Sequence, residues 1–271
     1  MKYSSEKTIE LLAILDMVFV LFLALSGSFS GFLSTMFYII AFILPILIGI
    51  YFTRESGNAR DFLGVSGIRM SIPFIVPTIG AVMLIASITS LLIGLITGKS
   101  NVVDLGDNLA LAIFSHAILP AILEEALFRF VPLKVLKGKS WIVIIFYSAL
   151  FFALIHHSFY SMPYAFIAGV VFMTIDLAFD SIWPSVIIHF LNNAISVLFM
   201  FYGGSSAFVF AVISGIVILS ALSIIYIVRN LKKYEKIKGK ITDLSELKSA
   251  PPKEILILAI PMLILAVMEL I

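Results

Sequence analysis

The chain has 271 residues, 61% of them hydrophobic and 13% charged, with a formal net charge of +2. Soluble domains carry about 25% charged residues, so this composition, with a mean hydropathy of +1.15, excludes an ordinary soluble fold and indicates a polytopic membrane protein. The chain has no cysteine, which excludes disulfides, thiolate metal sites and a cysteine nucleophile; its basic residues flank apolar runs and form no nucleic-acid surface.

In chain order, the apolar runs fall at 9–29, 32–52, 72–97, 109–136, 141–157, 163–179, 182–202, 207–228 and 255–271. Most approach the roughly 20 residues that a membrane-spanning helix needs. The runs are continuous, without the alternation of a transmembrane barrel. In lipid the backbone must satisfy its own hydrogen bonds, which makes helices the default. The expected fold is all-α: a polytopic membrane helical bundle of eight transmembrane helices, nine if the short terminal run also crosses. No internal repeat or second domain is visible, so residues 1–271 are expected to form one integral membrane domain. The first run is not followed by a small-residue cleavage site and is expected to be retained.

Lys and Arg are distributed unevenly between the connections. With the N-terminus placed in the cytoplasm, Lys2, Lys7, Arg54, Arg60, Arg69, Lys134, Lys137, Lys139 and all eight basic residues from Arg229 to Lys253 fall on the cytoplasmic side. Only Lys99 falls opposite, and Arg129 lies within a run. This is a positive-inside pattern. The simplest location is the cell membrane. Residues 53–70 mix arginines with Phe62, Leu63, Val65 and Ile68, which fits an interfacial segment or a solvated loop. The basic stretch from Arg229 to Lys240 fits an anionic leaflet surface or a topology signal alone.

The chemistry concentrates in the fourth run. Glu124, Glu125 and Arg129 lie within six positions of one another inside it. An ionised side chain at the centre of a span costs about 2.5–3.5 kcal/mol on insertion scales, so these groups need partners or a task. On a helix, Glu125 and Arg129 are four apart and share a face; they are expected to pair. Glu124 points elsewhere and is left for another role. Pro120 cannot donate to the carbonyl of His116, and a kink is expected there.

Two later runs each add a spaced pair. Phe152 and His156 are four apart, with His157 next in sequence. His189 and Asn193 are four apart and project together, with Asn192 on another face. At 1.5 Å per residue, Glu124 lies about 20 Å and His156 about 22 Å from the cytoplasmic end of their helices, whereas His189 lies only about 10 Å from Ile182. His189 reaches the same level only if the Asp180–Ser181 connection is sunk into the protein. His116, Asp16, Asp176, Asp180 and Glu269 are further polar residues in or near runs; Asp176 and Asp180, at a run end, suit structural roles.

Together, Glu124-Glu125-x-x-x-Arg129, Phe152-x-x-x-His156 and His189-x-x-x-Asn193 resemble the three motifs of the CAAX protease and bacteriocin-processing family, whose best-known branch is the Ras-converting prenyl endopeptidase. Order and internal spacings match, and the resemblance covers a family core of about residues 109–202. The Phe152 spacing favours His156, with His157 as the alternative ring.

The resemblance implies an intramembrane endopeptidase with no covalent nucleophile and no cofactor, acting near the C-terminus of a protein or lipidated peptide such as a prenylated CaaX tail. Its site would be reached from the cytosol. On this reading Glu124 and His156 activate a water, and His189 and Asn193 donate to the oxyanion. Glu125, Arg129 and Phe152 support them. Membrane lipids are the expected surroundings. One rival is a metal-dependent protease with Glu124, His156 and His189 around zinc, although no His-Glu-x-x-His sequence is present. A proton-coupled transporter is another, but it predicts repeated halves and broken helices, which the sequence lacks. A non-catalytic immunity protein is the third.

Overall fold

The computed structural model describes residues 5–54, 60–65, 67–97, 105–156, 161–235 and 259–260. Every regular element among the described residues is helical. In chain order these are α1 (Ser5–Ser28), α2 (Gly31–Thr53), the single turn α3 (Arg60–Leu63), α4 (Ile68–Thr97), α5 (Leu109–Val135), α6 (Trp141–Leu154), α7 (Met162–Phe179), α8 (Trp183–Tyr202) and α9 (Ser206–Arg229). Seven of them are long and apolar enough to cross a membrane, and the molecule is a polytopic helical bundle.

The remaining expected span, 141–157, differs in length. Its helix α6 has 14 residues, about 21 Å of rise against a hydrocarbon core of about 30 Å. It ends early because the chain turns at Ile155 and His156, where His156 N–H bonds to the Ala153 carbonyl at 3.1 Å. The terminal run at 255–271 lies outside the described residues apart from Ala259 and Ile260, as do Lys2, Lys99, His157 and the basic residues beyond Glu235.

α5 is not a regular α-helix throughout. Phe114–Ile118 and Ala126–Phe130 are widened π-turns, in which Leu119 N–H reaches Phe114 O and Val131 N–H reaches Ala126 O. In each case a proline, Pro120 or Pro132, is the second residue after the turn. A proline removes one i→i−4 bond and crowds the carbonyl four residues back. Widening the preceding turn relieves that crowding. The expected kink at Pro120 is thus a π-turn, and Pro132 produces a second one directly after Glu124 and Glu125.

The core gathers α1, α2 and α4 to α8. Phe19, Phe42 and Phe128, from α1, α2 and α5, meet edge to face at centroid distances of 5.1, 5.7 and 6.4 Å. The Tyr147 hydroxyl on α6 donates to Asp16 Oδ1 on α1 at 3.1 Å. A Cβ added at Gly169 on α7 would lie 2.7 Å from the Ala149 Cα on α6, so the two backbones touch, as small residues allow between membrane helices. α9 packs along α4 and has no buried residue.

The turn between α7 and α8 is covered. Ile182 N–H donates to Phe62 O at 2.9 Å, Ser181 Oγ to Gly64 O at 2.8 Å and Trp183 Nε1 to Leu63 O at 2.9 Å. Ser181 is fully buried. A Cβ at Gly67 would fall 2.2 Å from the Phe179 carbonyl, so no larger residue fits that approach. Asp176 joins the two helices: its carboxylate accepts from Ser185 Oγ at 2.7 Å and from Ser185 N–H at 3.3 Å. The backbone N–H groups of Ile182 and Ser185, at the start of α8, thereby find partners.

Candidate active site

The second half of α5 carries Glu124, Glu125 and Arg129 inward, and all three are buried. Arg129 Nε lies 3.2 Å from Glu125 Oε2, both side chains being fully enclosed. Arg129 Nη1 donates to Ser148 Oγ at 2.9 Å and to the Phe128 carbonyl at 3.3 Å. The guanidinium also lies over the Phe152 ring, 4.5 Å from its centroid, and 5.8 Å from that of Phe172. A desolvated cation over an aromatic face gains about 2 kcal/mol, and Arg129 and Glu125 are paired with each other, the condition for burying such charges.

The second oxygen of Glu125 faces α8. His189 Nδ1 lies 2.8 Å from Glu125 Oε1. A carboxylate only accepts, so Nδ1 carries the proton and Glu125 fixes the ring. Nε2 then points toward Glu124, 3.9 Å from its Oε2. The four groups form one line, Arg129, Glu125, His189 and Glu124, from a neutralised ion pair to an unengaged carboxylate oxygen. Glu124 Oε2 is buried and has no hydrogen-bond partner among the described residues.

His156 stands just past the end of α6. Its Nδ1 is 2.8 Å from the Phe152 carbonyl. A carbonyl oxygen cannot donate, so Nδ1 is again the protonated nitrogen, capping a helix-end carbonyl. In the neutral ring Nε2 is left as the acceptor. The Phe152 ring separates these parts: its centroid is 5.0 Å from that of His156 and 5.6 Å from that of His189, with the His189 ring at 87° to it.

A cavity of about 70 Å³ joins Glu124 and His156. Tyr38 and the apolar side chains of Phe19, Leu23, Phe42 and Ile155 complete its wall. Two acceptors thus open on one small space whose remaining surface is mostly apolar.

The structure therefore brings together Glu124, Glu125, Arg129, Phe152, His156 and His189. Asn193 lies one turn beyond His189 on α8, half-buried; its Oδ1 accepts from Asn192 Nδ2 at 3.3 Å. Among the described residues no hydrogen bond links it to the cluster. His157 is outside the described residues, and His116 is exposed two turns before Glu124. No group of three or more His, Asp or Glu stands close enough to hold a metal ion among the described residues. The shallow depth counted for His189 is resolved by the covered turn at Ser181, which starts α8 inside the protein.

Sequence reasoning missed Ser148 and Tyr38. Ser148 and Phe152 on α6 and His156 just past its end are spaced i, i+4, i+8, so the spacing that singled out the pair could have been extended backward. Tyr38 precedes Phe42 by one turn on α2 and had no such neighbour to mark it.

Residues 106–195 match the family model described as "Rce1-like: Type II CAAX prenyl endopeptidase Rce1-like". This is the family that the three motifs resemble. The match covers about a third of the chain, and it includes every residue of the cluster on α5, α6 and α8. Comparison with curated proteins and with solved structures found no match. The Rce1-like stretch holds the carboxylates and imidazoles, whereas Phe19, Leu23, Tyr38 and Phe42 come from helices before it.

Proposed function

We propose that the protein is an intramembrane endopeptidase that hydrolyses a peptide bond near the C-terminus of a protein substrate, with prenylated CaaX tails as the leading substrate class. The observation that carries this reading is the buried oxygen of Glu124, without a hydrogen-bond partner among the described residues, beside His156 on one cavity. The motifs supply the reaction class: the matched family is one of endopeptidases.

Glu124 and the Nε2 acceptor of His156 hold a water and take its proton as its oxygen attacks the scissile carbonyl carbon. The carbonyl π electrons move to oxygen. Asn193, and His189 through Nε2–H when its ring is doubly protonated, donate to that oxygen from α8. Removing one such donor typically costs 10²–10³ in kcat, and general-base help is worth about 10²–10⁴. When the C–N bond breaks, the proton returns from the Glu124 side to the leaving amine. Glu125, neutralised by Arg129, keeps His189 in register. Basic connections and the N-terminus lie in the cytoplasm, and the substrate enters from that side of the cell membrane.

The test is incubation of the detergent-solubilised protein with a farnesylated CaaX peptide, read by mass spectrometry as loss of the last three residues. The parent is expected to cleave. Glu124→Ala, confirmed folded by its thermal transition, is expected to lose about 10²-fold or more. An active Glu124→Ala protein overturns the assignment. Cleavage of unprenylated membrane peptides only, by the parent alone, removes CaaX tails as the substrate and keeps the chemistry.

A further inference from the structure

The cavity is short of hydrogen-bond donors. Three of the side chains lining it are polar: Glu124, His156 and Tyr38. An ionised carboxylate gives nothing but lone pairs. The Nδ1–H of His156 is spent on the Phe152 carbonyl at 2.8 Å, so the neutral ring turns an acceptor to its surroundings. Peptide hydrolysis needs both kinds of group: acceptors to hold and deprotonate water, and donors to receive the charge that builds on the carbonyl oxygen. The two acceptors suit the first task. Among the described side chains lining the cavity, the O–H of Tyr38 alone suits the second.

Tyr38 is placed to be rigid and unspent. Its ring packs on Phe42, with centroids 5.1 Å apart, and Phe42 is locked against Phe19 and Phe128. The side chain is half-buried. Its hydroxyl makes no hydrogen bond to any described residue, in contrast to Tyr147, which donates to Asp16 at 3.1 Å. A phenol at a membrane-embedded wall usually finds a partner. Tyr38 has none among the described residues and lines the same cavity as Glu124. His189 reaches Glu124 from α8, where its Nδ1 is already held by Glu125 and its Nε2 sits 3.9 Å from Glu124.

We infer that Tyr38 is a further catalytic residue, whose hydroxyl donates a hydrogen bond to the oxygen of the scissile carbonyl from the α2 wall of the cavity. This rests on the endopeptidase reading of the same site. Tyr38 transfers no proton. Water oxygen bonds to the carbonyl carbon, the proton passes to the Glu124 and His156 pair, and the electron pair displaced onto the carbonyl oxygen is met by the phenolic O–H. Collapse of the tetrahedral species breaks the C–N bond, and Tyr38 is left unchanged.

Three proteins separate the possibilities: the parent, Tyr38→Phe, and Tyr38→Leu, with Glu124→Ala as the inactive control. Each is checked for an unchanged thermal transition in detergent, then assayed on whichever peptide the parent cleaves. Tyr38→Phe keeps the ring on Phe42 and removes only the hydroxyl. The expected result is a fall in kcat of about 10²-fold with KM nearly unchanged, matched by Tyr38→Leu. If Tyr38→Phe keeps parental kcat while Tyr38→Leu fails, the ring acts as packing and the inference is overturned. A raised KM at constant kcat makes Tyr38 a binding group and overturns it too. If Glu124→Ala is as active as the parent, the endopeptidase reading itself falls, which a change at Tyr38 alone cannot produce.

Discussion

Two regions of this bundle treat polarity in opposite ways. Where α5, α6, α7 and α8 meet, Glu125, Arg129, Ser148, Asp176 and Ser185 are completely enclosed, and each has a polar partner at 3.2 Å or less. Along α9 no residue is buried, and Leu219, Leu222 and Ile224 are all more than half exposed. A soluble protein would reverse this, with polar groups outside. Here the surroundings of α9 are lipid tails, which accept any apolar side chain, while the interior is where water and charge can be organised. Function in such a fold is sought where the helices stop being uniformly apolar.

The contrast breaks most severely at Arg129. Arg129→Met leaves Glu125 as a buried carboxylate without its neutralising cation. Breaking a buried pair from one side costs about 3–5 kcal/mol. The thermal transition in detergent is expected to fall steeply, and adding Glu125→Leu is expected to restore much of it, because replacing both charges removes the uncompensated one. A single variant as stable as the parent would mean that the pair is not holding the core.

Much of this was legible in the sequence, for a physical reason. Helices in lipid must be long and apolar, so the spans announce themselves, and a charge inside one stands out against that background. The four-residue spacing placed Glu125 against Arg129 without any tertiary knowledge. What was not legible depends on contacts between distant segments. The depth counted for His189 assumed that α8 starts at the membrane surface, but residues 62–64 cover that turn with three hydrogen bonds. His156 reads as part of a helix and stands beyond its end, because its ring caps the Phe152 carbonyl. Tyr38 lies in a run where one hydroxyl among many aromatic rings carries no periodic signal. The π-turn at Ala126–Phe130 was hidden for another reason: Pro132, which ends it, falls near the run's end, where a proline passes as a boundary.

A smaller effect is expected between the two regions, at the α1–α6 contact. Tyr147→Phe keeps the ring stacked on Phe151, 4.4 Å between centroids, and removes the donor to Asp16. A polar group left unsatisfied in a desolvated place costs about 1–3 kcal/mol. The thermal transition is expected to drop by less than in Arg129→Met. Activity of the folded protein should persist, since the pair touches none of the cavity. A loss of activity without loss of stability would tie α1 to the chemistry and blur the division between core and site.

The least effect is expected on α9, at Leu222, which is 58% exposed. Leu222→Ala removes three carbons from a side chain with little protein around it. In a packed core the same change costs about 2–5 kcal/mol, because a cavity remains. Lipid tails are fluid and fill the space, so the change in stability is expected to stay within about 0.5 kcal/mol, as for a surface position. Equilibrium unfolding of the reconstituted protein measures it. A loss of core size would mean that another protein surface covers this face of α9 in the membrane. The division drawn above would then separate a catalytic core from an assembly face, and not from lipid.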